Sequence, residues 1–417
     1  MSDAIPQAVL EARYQRSFGR LAGYLPEDRE AVEEWLAGLV RTAADSTQDW
    51  STAVKRLDAL IQRDGTVRQY VTEMIEQVPV NCAGPADIPQ LLACLDHIGR
   101  HAPQYAPKGK RNFFPMSALF VHMMETEAGE VAFRLTEFNN ALRDILKEWC
   151  DHLDSPASRT VLDKDTGWLS RDAWREFRLD DFDIPDPHDE YGGFKCFNAF
   201  FHREIKPDKR PVDPSREGIV SPNDGKVYRY AQVTSPDDRF WLKAQSYSLT
   251  DMVRGRERAR PFVGGWVFQS FLSGADYHRW RSPVAGTVSR VELVPALMFS
   301  ETVRPDPTAG TYSQGYQASV NTRGLVFIDS DFGKQVCVMP IGITEISSVR
   351  FAEGLQGKRV EKGTELGWFS YGGSSMCVLF ENGLIDRFTV PNNDPIEGDP
   401  DGGAPIKVNA RIATANL

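Results

Sequence analysis

The sequence predicts an α+β protein: a mostly helical N-terminal domain, residues 1–180, followed by a β-rich domain, residues 181–417, of sandwich or barrel shape. Three observations predict it. From about Glu27 to Phe177, apolar residues recur at three- and four-residue spacing. After Pro222, short runs rich in Val, Phe and Ile alternate with Gly, Pro, Asn or Asp. The pattern Ser-Pro-x-x-Gly-x-Val occurs twice, at 221–227 and 282–288, as a pseudo-symmetric β architecture would require.

In the helical part, Glu30-Ala31-Val32-Glu33-Glu34-Trp35-Leu36 opens an amphipathic stretch, and more helices fit between Ser51 and Glu127. Glu130 to His152 reads as one long helix, which Asp154-Ser155-Pro156 ends because proline cannot continue it. From Arg178 to Pro222 the chain turns rich in Asp and Pro and reads as a connection, with a short helix around Lys195 to Arg203. Strands are predicted at Trp266–Leu272, Thr287–Leu293, Leu325–Ile328, Val336–Ile341, Leu366–Phe369 and Met376–Phe380. Each SPxxGxV unit reads as a proline-led turn feeding a strand, though such turns are common in unrelated proteins.

Composition narrows the function. At 417 residues the chain is long enough for two domains, or for one domain with a large extension, and 41% hydrophobic and 25% charged residues suit a soluble globular protein. A formal net charge of −10 argues against nucleic acid, whose phosphates call for a basic surface. The run Lys108-Gly109-Lys110-Arg111 is a local basic patch and reads as a solvated loop. No apolar run reaches membrane-spanning length, so no integral membrane segment is expected and the default compartment is the cytoplasm. Six cysteines without CxxC spacing suit reduced thiols. Only one of seven histidines, His278, lies beyond residue 202, so no metal site is expected in the C-terminal half.

The stretch Gly372-Gly373-Ser374-Ser375 lies between two apolar runs, where the plain local reading is a hairpin loop. It also permits a particular chemistry. The Ser374 hydroxyl can attack the Gly373 carbonyl, moving the acyl group from nitrogen to oxygen. Glycine before the serine allows close approach and unusual backbone angles. The serine needs a base for its proton and donors for the oxyanion. β-Elimination and hydrolysis would then leave a pyruvoyl group at residue 374.

At this point the sequence resembles the phosphatidylserine decarboxylase family. Gly372-Gly373-Ser374-Ser375 is similar to the family's self-cleavage motif. Four further segments match in the family's order: Phe197-Asn198-Ala199-Phe200-Phe201-His202-Arg203-Glu204-Ile205-Lys206-Pro207, Ser221-Pro222-Asn223-Asp224-Gly225, Ser246-Tyr247-Ser248-Leu249 and Asp276-Tyr277-His278-Arg279. The resemblance covers roughly residues 195–390. It implies cleavage between Gly373 and Ser374, a covalent pyruvoyl cofactor derived from Ser374, and two chains that stay associated. It implies Asp224 as the acidic member of the processing relay and His278 as an acid/base in decarboxylation. Read locally, Asp224 is a turn former and His278 a structural histidine. One departure stands out: Arg281 occupies the place of the family's second histidine. An arginine side chain is a cation at neutral pH and cannot be a general base. His278 is therefore expected to serve both steps, with a different base or a silent homologue as the alternatives.

The polar, helical N-terminal region resembles the family's soluble branch, whose fungal members act on L-tryptophan. The expected substrate is a free, aromatic amino acid; phosphatidylserine is the alternative. Trp266, Phe268, Phe271 and Trp280 are candidates for an aromatic pocket, although alternating aromatics in a strand are commonly core. The SPxxGxV turns also resemble biotin- or lipoate-carrying sandwiches, but that reading leaves the other segments unexplained. The resemblance leaves the oligomeric state open, a homodimer included.

Overall fold

The structure is a computed structural model describing residues 4–10, 25–26, 28–107, 110, 112–237, 248–300, 318–343, 345, 349–393 and 403–417. Ser246 and Tyr247, and Lys108, Gly109 and Arg111 of the basic patch, lie outside the described residues.

The first half is helical: α1 (Arg29–Ala44), α2 (Thr52–Arg63), α3 (Gly65–Glu76), α4 (Ile88–Gly99), α5 (Pro115–Met124), α6 (Glu127–Ala132), α7 (Thr136–Leu153), α8 (Arg171–Glu176) and α9 (Phe197–Phe201). Side-chain caps start several of them. Ser51 accepts from the Val54 N–H, Asp64 from Thr66 and Val67, and Asp87 from Gln90, each satisfying an end amide that the helix leaves unpaired. Every residue of α5 is buried, so this helix is the centre of the layer. The single helix predicted over Glu130–His152 is in fact two. The Phe133 N–H closes α6 on the Gly129 carbonyl, and Phe133 then packs against Phe120 and Phe138 at ring separations of 5.1 and 5.7 Å. Aromatic burial at that corner outweighs helical continuity. As predicted, α7 ends just before Asp154-Ser155-Pro156.

The second half is antiparallel β: β1 (Gly218–Val220), β2 (Gly225–Gln232), β3 (Trp266–Leu272), β4 (Arg279–Arg281), β5 (Gly286–Val294), β6 (Arg323–Ser330) and β7 (Gln335–Ile343). It continues with β8 (Val349–Phe351), β9 (Arg359–Val360), β10 (Glu365–Phe369), β11 (Gly373–Phe380), β12 (Ile385–Phe388), β13 (Pro405–Ile406) and β14 (Arg411–Ala415). Two short helices, α10 (Leu249–Met252) and α11 (Arg256–Ala259), cover one face. The large sheet runs β13-β2-β3-β11-β7-β6-β5-β9 and curls into a half-barrel; smaller sheets run β1-β14-β12 and β4-β10-β8. The protein is therefore α+β.

The strand order reads the same from both ends once equivalent strands are matched. β1, β2, β3, β11, β12, β13 and β14 correspond to β4, β5, β6, β7, β8, β9 and β10, so a second seven-stranded repeat is inserted between β3 and β11. The two SPxxG turns are the equivalent corners. Ser221 Oγ donates to the Asn223 carbonyl at 2.7 Å, and Ser282 Oγ to the Val284 carbonyl at 2.6 Å. Both following strands bulge at the same offset, between Val227 and Arg229 and between Val288 and Arg290. Gly225 is required at its corner: its φ is +151°, and a Cβ there would collide with the Phe271 carbonyl oxygen.

The helical core also takes in Phe182, Phe194, Phe197, Phe200, Phe201 and Ile205, then Tyr277, Phe299, Ile343 and Tyr371 from the β half. The helices thus share a hydrophobic core with one edge of the half-barrel, and Tyr371 of the Gly-Gly-Ser-Ser segment lies in that seam.

Candidate active site

Ser374 is fully buried and lies inside β11, paired with Leu272 of β3 on one side and Gly342 of β7 on the other. The expected hairpin loop is not there. β10 and β11 belong to different sheets, and the chain bends at residues 371–372, where Gly372 has a φ of +145°. Ser375 explains why the strand starts so early. Its hydroxyl donates to the Ser270 carbonyl and accepts from Gln269 Nε2, both at 3.0 Å, which fastens the segment to β3. The Gly373–Ser374 bond is thus held between two strands directly after a glycine in a conformation other residues avoid.

The matched segments converge on this strand end. Asn198 of α9 accepts from the Tyr371 N–H at 3.1 Å and donates to Asp154 at the end of α7 at 2.9 Å. Phe201 stacks on the His278 ring with centroids 4.0 Å apart. Asp276 accepts from the Ser273 N–H at 2.7 Å, and Arg279 ties the His202 carbonyl to Glu365. The Arg281 N–H donates to the Pro222 carbonyl, joining this segment to the SPNDG corner.

His278 is completely buried, and the backbone of Gly274 and Ser273 borders its ring. Those residues directly follow Leu272, the strand partner of Ser374, so the imidazole sits beside the Ser374 strand end. Neither ring nitrogen has a hydrogen-bond partner of normal geometry. Burial, reinforced by nearby Arg203, pushes His278 down to about 3, so it is a neutral imidazole at physiological pH.

Asp224 is placed differently from a residue poised on the imidazole. Its buried carboxylate takes Arg210 Nε and Nη2 at 3.0 and 2.6 Å, Lys407 Nζ at 3.3 Å and the Val408 N–H at 2.8 Å. It lies at the β2 corner, two strands from Ser374 and roughly 10 Å across the sheet at ordinary strand spacing. Arg281 points elsewhere, with Nη2 3.4 Å from the Tyr277 hydroxyl and Nη1 3.4 Å from the Gly363 carbonyl.

The four aromatic candidates are corrected by the structure. Phe268 and Trp280 are fully buried in the half-barrel core, Phe271 packs with Tyr228, and Trp266 edges onto Phe388 at 5.3 Å. The aromatic cluster beside the cleavage segment comes instead from the helices: Phe114, Trp149, Phe197 and Phe201 surround Tyr371 at 5.9, 5.4, 5.4 and 5.1 Å. Nothing in the spacing of Phe114 or Trp149 marks them, because the fold alone brings them to residue 371.

Two features lie away from this centre. A cavity of about 420 Å³ in the helical layer is lined by Trp35, His97, His101, Tyr105, Asn112 and Pro115, and does not touch Ser374, Asp224 or His278. Glu33, Cys82 and His122 bring candidate ligand atoms within 4.8 Å of one another. Glu33 already accepts from Arg29, His122 and the Ala83 N–H, so its oxygens are committed to a polar network.

This fold, a curled antiparallel half-barrel with a buried Gly-Ser bond under a helical layer, defines the class. Phosphatidylserine decarboxylase family models match residues 197–404 and 51–177. A decarboxylase of Amanita muscaria, iboD, is 35% identical over 294 residues, which is 64% of this chain and 83% of that protein. The L-tryptophan decarboxylase of Psilocybe cyanescens is 26% identical over 435 residues, spanning 95% of this chain and 94% of its own. A phosphatidylserine decarboxylase proenzyme of Bordetella avium is 34% identical over 217 residues, 48% of this chain and 71% of that one. The chain belongs to the phosphatidylserine decarboxylase family and is a decarboxylase.

Proposed function

We propose that the chain cleaves itself between Gly373 and Ser374 and, with the pyruvoyl group so formed, decarboxylates a free aromatic amino acid of the L-tryptophan kind to its amine. The observation that carries the substrate is the extent of similarity. The fungal L-tryptophan decarboxylase aligns along 95% of this chain, helical part included, whereas the bacterial phosphatidylserine decarboxylase aligns along 48%. Among the described residues no helix is long and apolar enough to cross a membrane.

In maturation, the Ser374 hydroxyl attacks the Gly373 carbonyl, and the acyl group passes from nitrogen to oxygen. His278, whose imidazole sits beside the Ser374 strand end, takes the hydroxyl proton. Elimination of the ester releases Gly373 as a carboxylate, and hydrolysis of the remainder releases ammonia and leaves the pyruvoyl end. Asp224 acts from the neighbouring corner by fixing Arg210 and the Lys407–Val408 segment, and so the β2 edge of the site. The surroundings fit the group: residue 374 would head a strand hydrogen-bonded on both sides, in a buried spot that limits water. A pyruvoyl group at residue 374, held by β3 and β7, would supply a carbonyl for the substrate amine and a sink for the electrons of the bond to the carboxylate. The two chains stay together because β11 is interior to the large sheet.

The test is carbon dioxide release from L-tryptophan, L-tyrosine and L-phenylalanine, set beside phosphatidylserine vesicles. Release from at least one free aromatic amino acid is expected. Release from the lipid alone would overturn the substrate assignment and leave phosphatidylserine in its place.

A further inference from the structure

β7 and β11 pair as far as Ile343 with Gly373; Glu345 lies two residues past that end of β7, and Tyr371 two residues before that end of β11. Electrostatic influence of Glu345 on the Tyr371 hydroxyl agrees with that placement. Glu345 is completely buried. One carboxyl oxygen accepts from the Met116 and Ser117 N–H groups of α5, the second of them at 2.9 Å. Among the described residues its other oxygen, Oε2, has no hydrogen-bond partner, and neither has the Tyr371 hydroxyl or the Ser117 hydroxyl. Unpartnered buried polar atoms on residues linked to Glu345 are unusual, because a buried polar group ordinarily finds a hydrogen bond.

Their location is informative. Glu345 lies three residues past Gly342, the partner of Ser374, hence at most about 11 Å from it along the chain. That is the length of a carboxyl side chain plus a bound amino acid. Burial pushes the carboxyl well above the usual carboxylate range, against the pull of the two amides. His278 sits on the β3 side of Ser374, whereas Glu345 approaches from the β7 side.

We propose that Glu345 is a catalytic residue of the decarboxylation, the acid that delivers a proton from Oε2 to the substrate α-carbon in place of the lost carboxylate. The assignment rests on the decarboxylase reading above. The bond between the α-carbon and the carboxylate breaks, carbon dioxide leaves, and the electron pair stays on carbon. The O–H bond of Glu345 then breaks as the new C–H bond forms. The carboxylate regains its proton from the ammonium group of the next substrate, which must lose one before it can react as an amine. α5 supplies the two amides that hold the other oxygen, so the helical layer contributes directly to the chemistry.

The test compares wild type with Glu345→Gln, which keeps the acceptor for Met116 and Ser117 but has no acidic proton. Three quantities are read: intact mass for cleavage, phenylhydrazine adduct for the ketone, and the borohydride-trapped L-tryptophan adduct on the small chain. Glu345→Gln is expected to cleave, to form the ketone and to trap substrate as wild type does, yet to release amine about 100-fold more slowly. Its trapped adduct should have lost the mass of carbon dioxide, because the block follows that step. Amine release within threefold of wild type would overturn the proposal. So would failure of Glu345→Gln to cleave, when wild type cleaves, because the residue would then serve folding or maturation; Glu345→Asp, cleaving but equally slow, would contradict that outcome and restore the assignment. A wild-type chain that stays whole refutes the decarboxylase reading itself, whatever the variants do.

Discussion

His278 and Arg281 are three residues apart and do opposite things. The imidazole is buried, stacked on Phe201, depressed to about 3 and free of firm hydrogen bonds, while Arg281 turns toward Tyr277 and Gly363. A neutral imidazole can take a proton; a guanidinium cannot. His278→Gln is therefore expected to slow self-cleavage at least 100-fold, the usual worth of a general base. Arg281→Ala should leave the rate within about threefold. Gel densitometry of the two fragments over time measures both, and the reverse ranking would move the base away from His278. Short motifs keep their spacing along the chain, so Ser374, Gly373, Asp224 and His278 could be singled out from the sequence by resemblance. Sequence did not lead to Glu345, a lone acid after an apolar run, whose burial against α5 and proximity to Tyr371 arise only in the folded chain. Nor could it show that Arg210 and Lys407 engage Asp224, since those partners are 14 and 183 positions away.

At the scale of elements, α9 is a five-residue helix with a large mechanical role. Asn198 joins the Tyr371 N–H to Asp154, so the cleavage segment is fastened to the end of α7. Asn198→Ala leaves the buried Tyr371 amide without that link. It should cost on the order of 1–3 kcal/mol of stability, as buried unsatisfied groups do, and slow cleavage about tenfold. Thermal unfolding and fragment accumulation read the two effects separately; a destabilised variant that cleaves at the wild-type rate would dismiss α9 as an anchor of the segment. Five of the six predicted strands appear within two residues of their ends, since apolar runs punctuated by Gly and Pro carry their own boundaries, and the sixth, β11, starts three residues early at Gly373. The very short strands β4, β8, β9 and β13 were illegible, because two or three residues hold no periodicity. The helix predicted over Glu130–His152 was broken by packing of Phe133, a tertiary effect invisible to spacing.

At the scale of the whole molecule, two seven-stranded repeats build one half-barrel, but only the first closes over a Gly-Ser bond. The repeat had a faint signature in the two SPxxGxV corners, and the structure shows that those corners are equivalent down to the serine hydrogen bond and the bulge. The second repeat, inserted between β3 and β11, separates strands that pair side by side and leaves the β11 end beneath the helical layer. Sequence gave no view of that closure, because Phe114, Trp149 and Tyr371 meet only in the folded chain. Everything proposed for this architecture depends on one covalent event. Denatured intact mass of the purified protein, beside a Ser374→Ala control, tests it directly. The expected result is two chains, residues 1–373 and 374–417, the smaller with a blocked, ketone-bearing N-terminus, and a single whole chain in the control. A wild-type protein that stays a single chain of 417 residues would contradict the account, for without cleavage there is no pyruvoyl group.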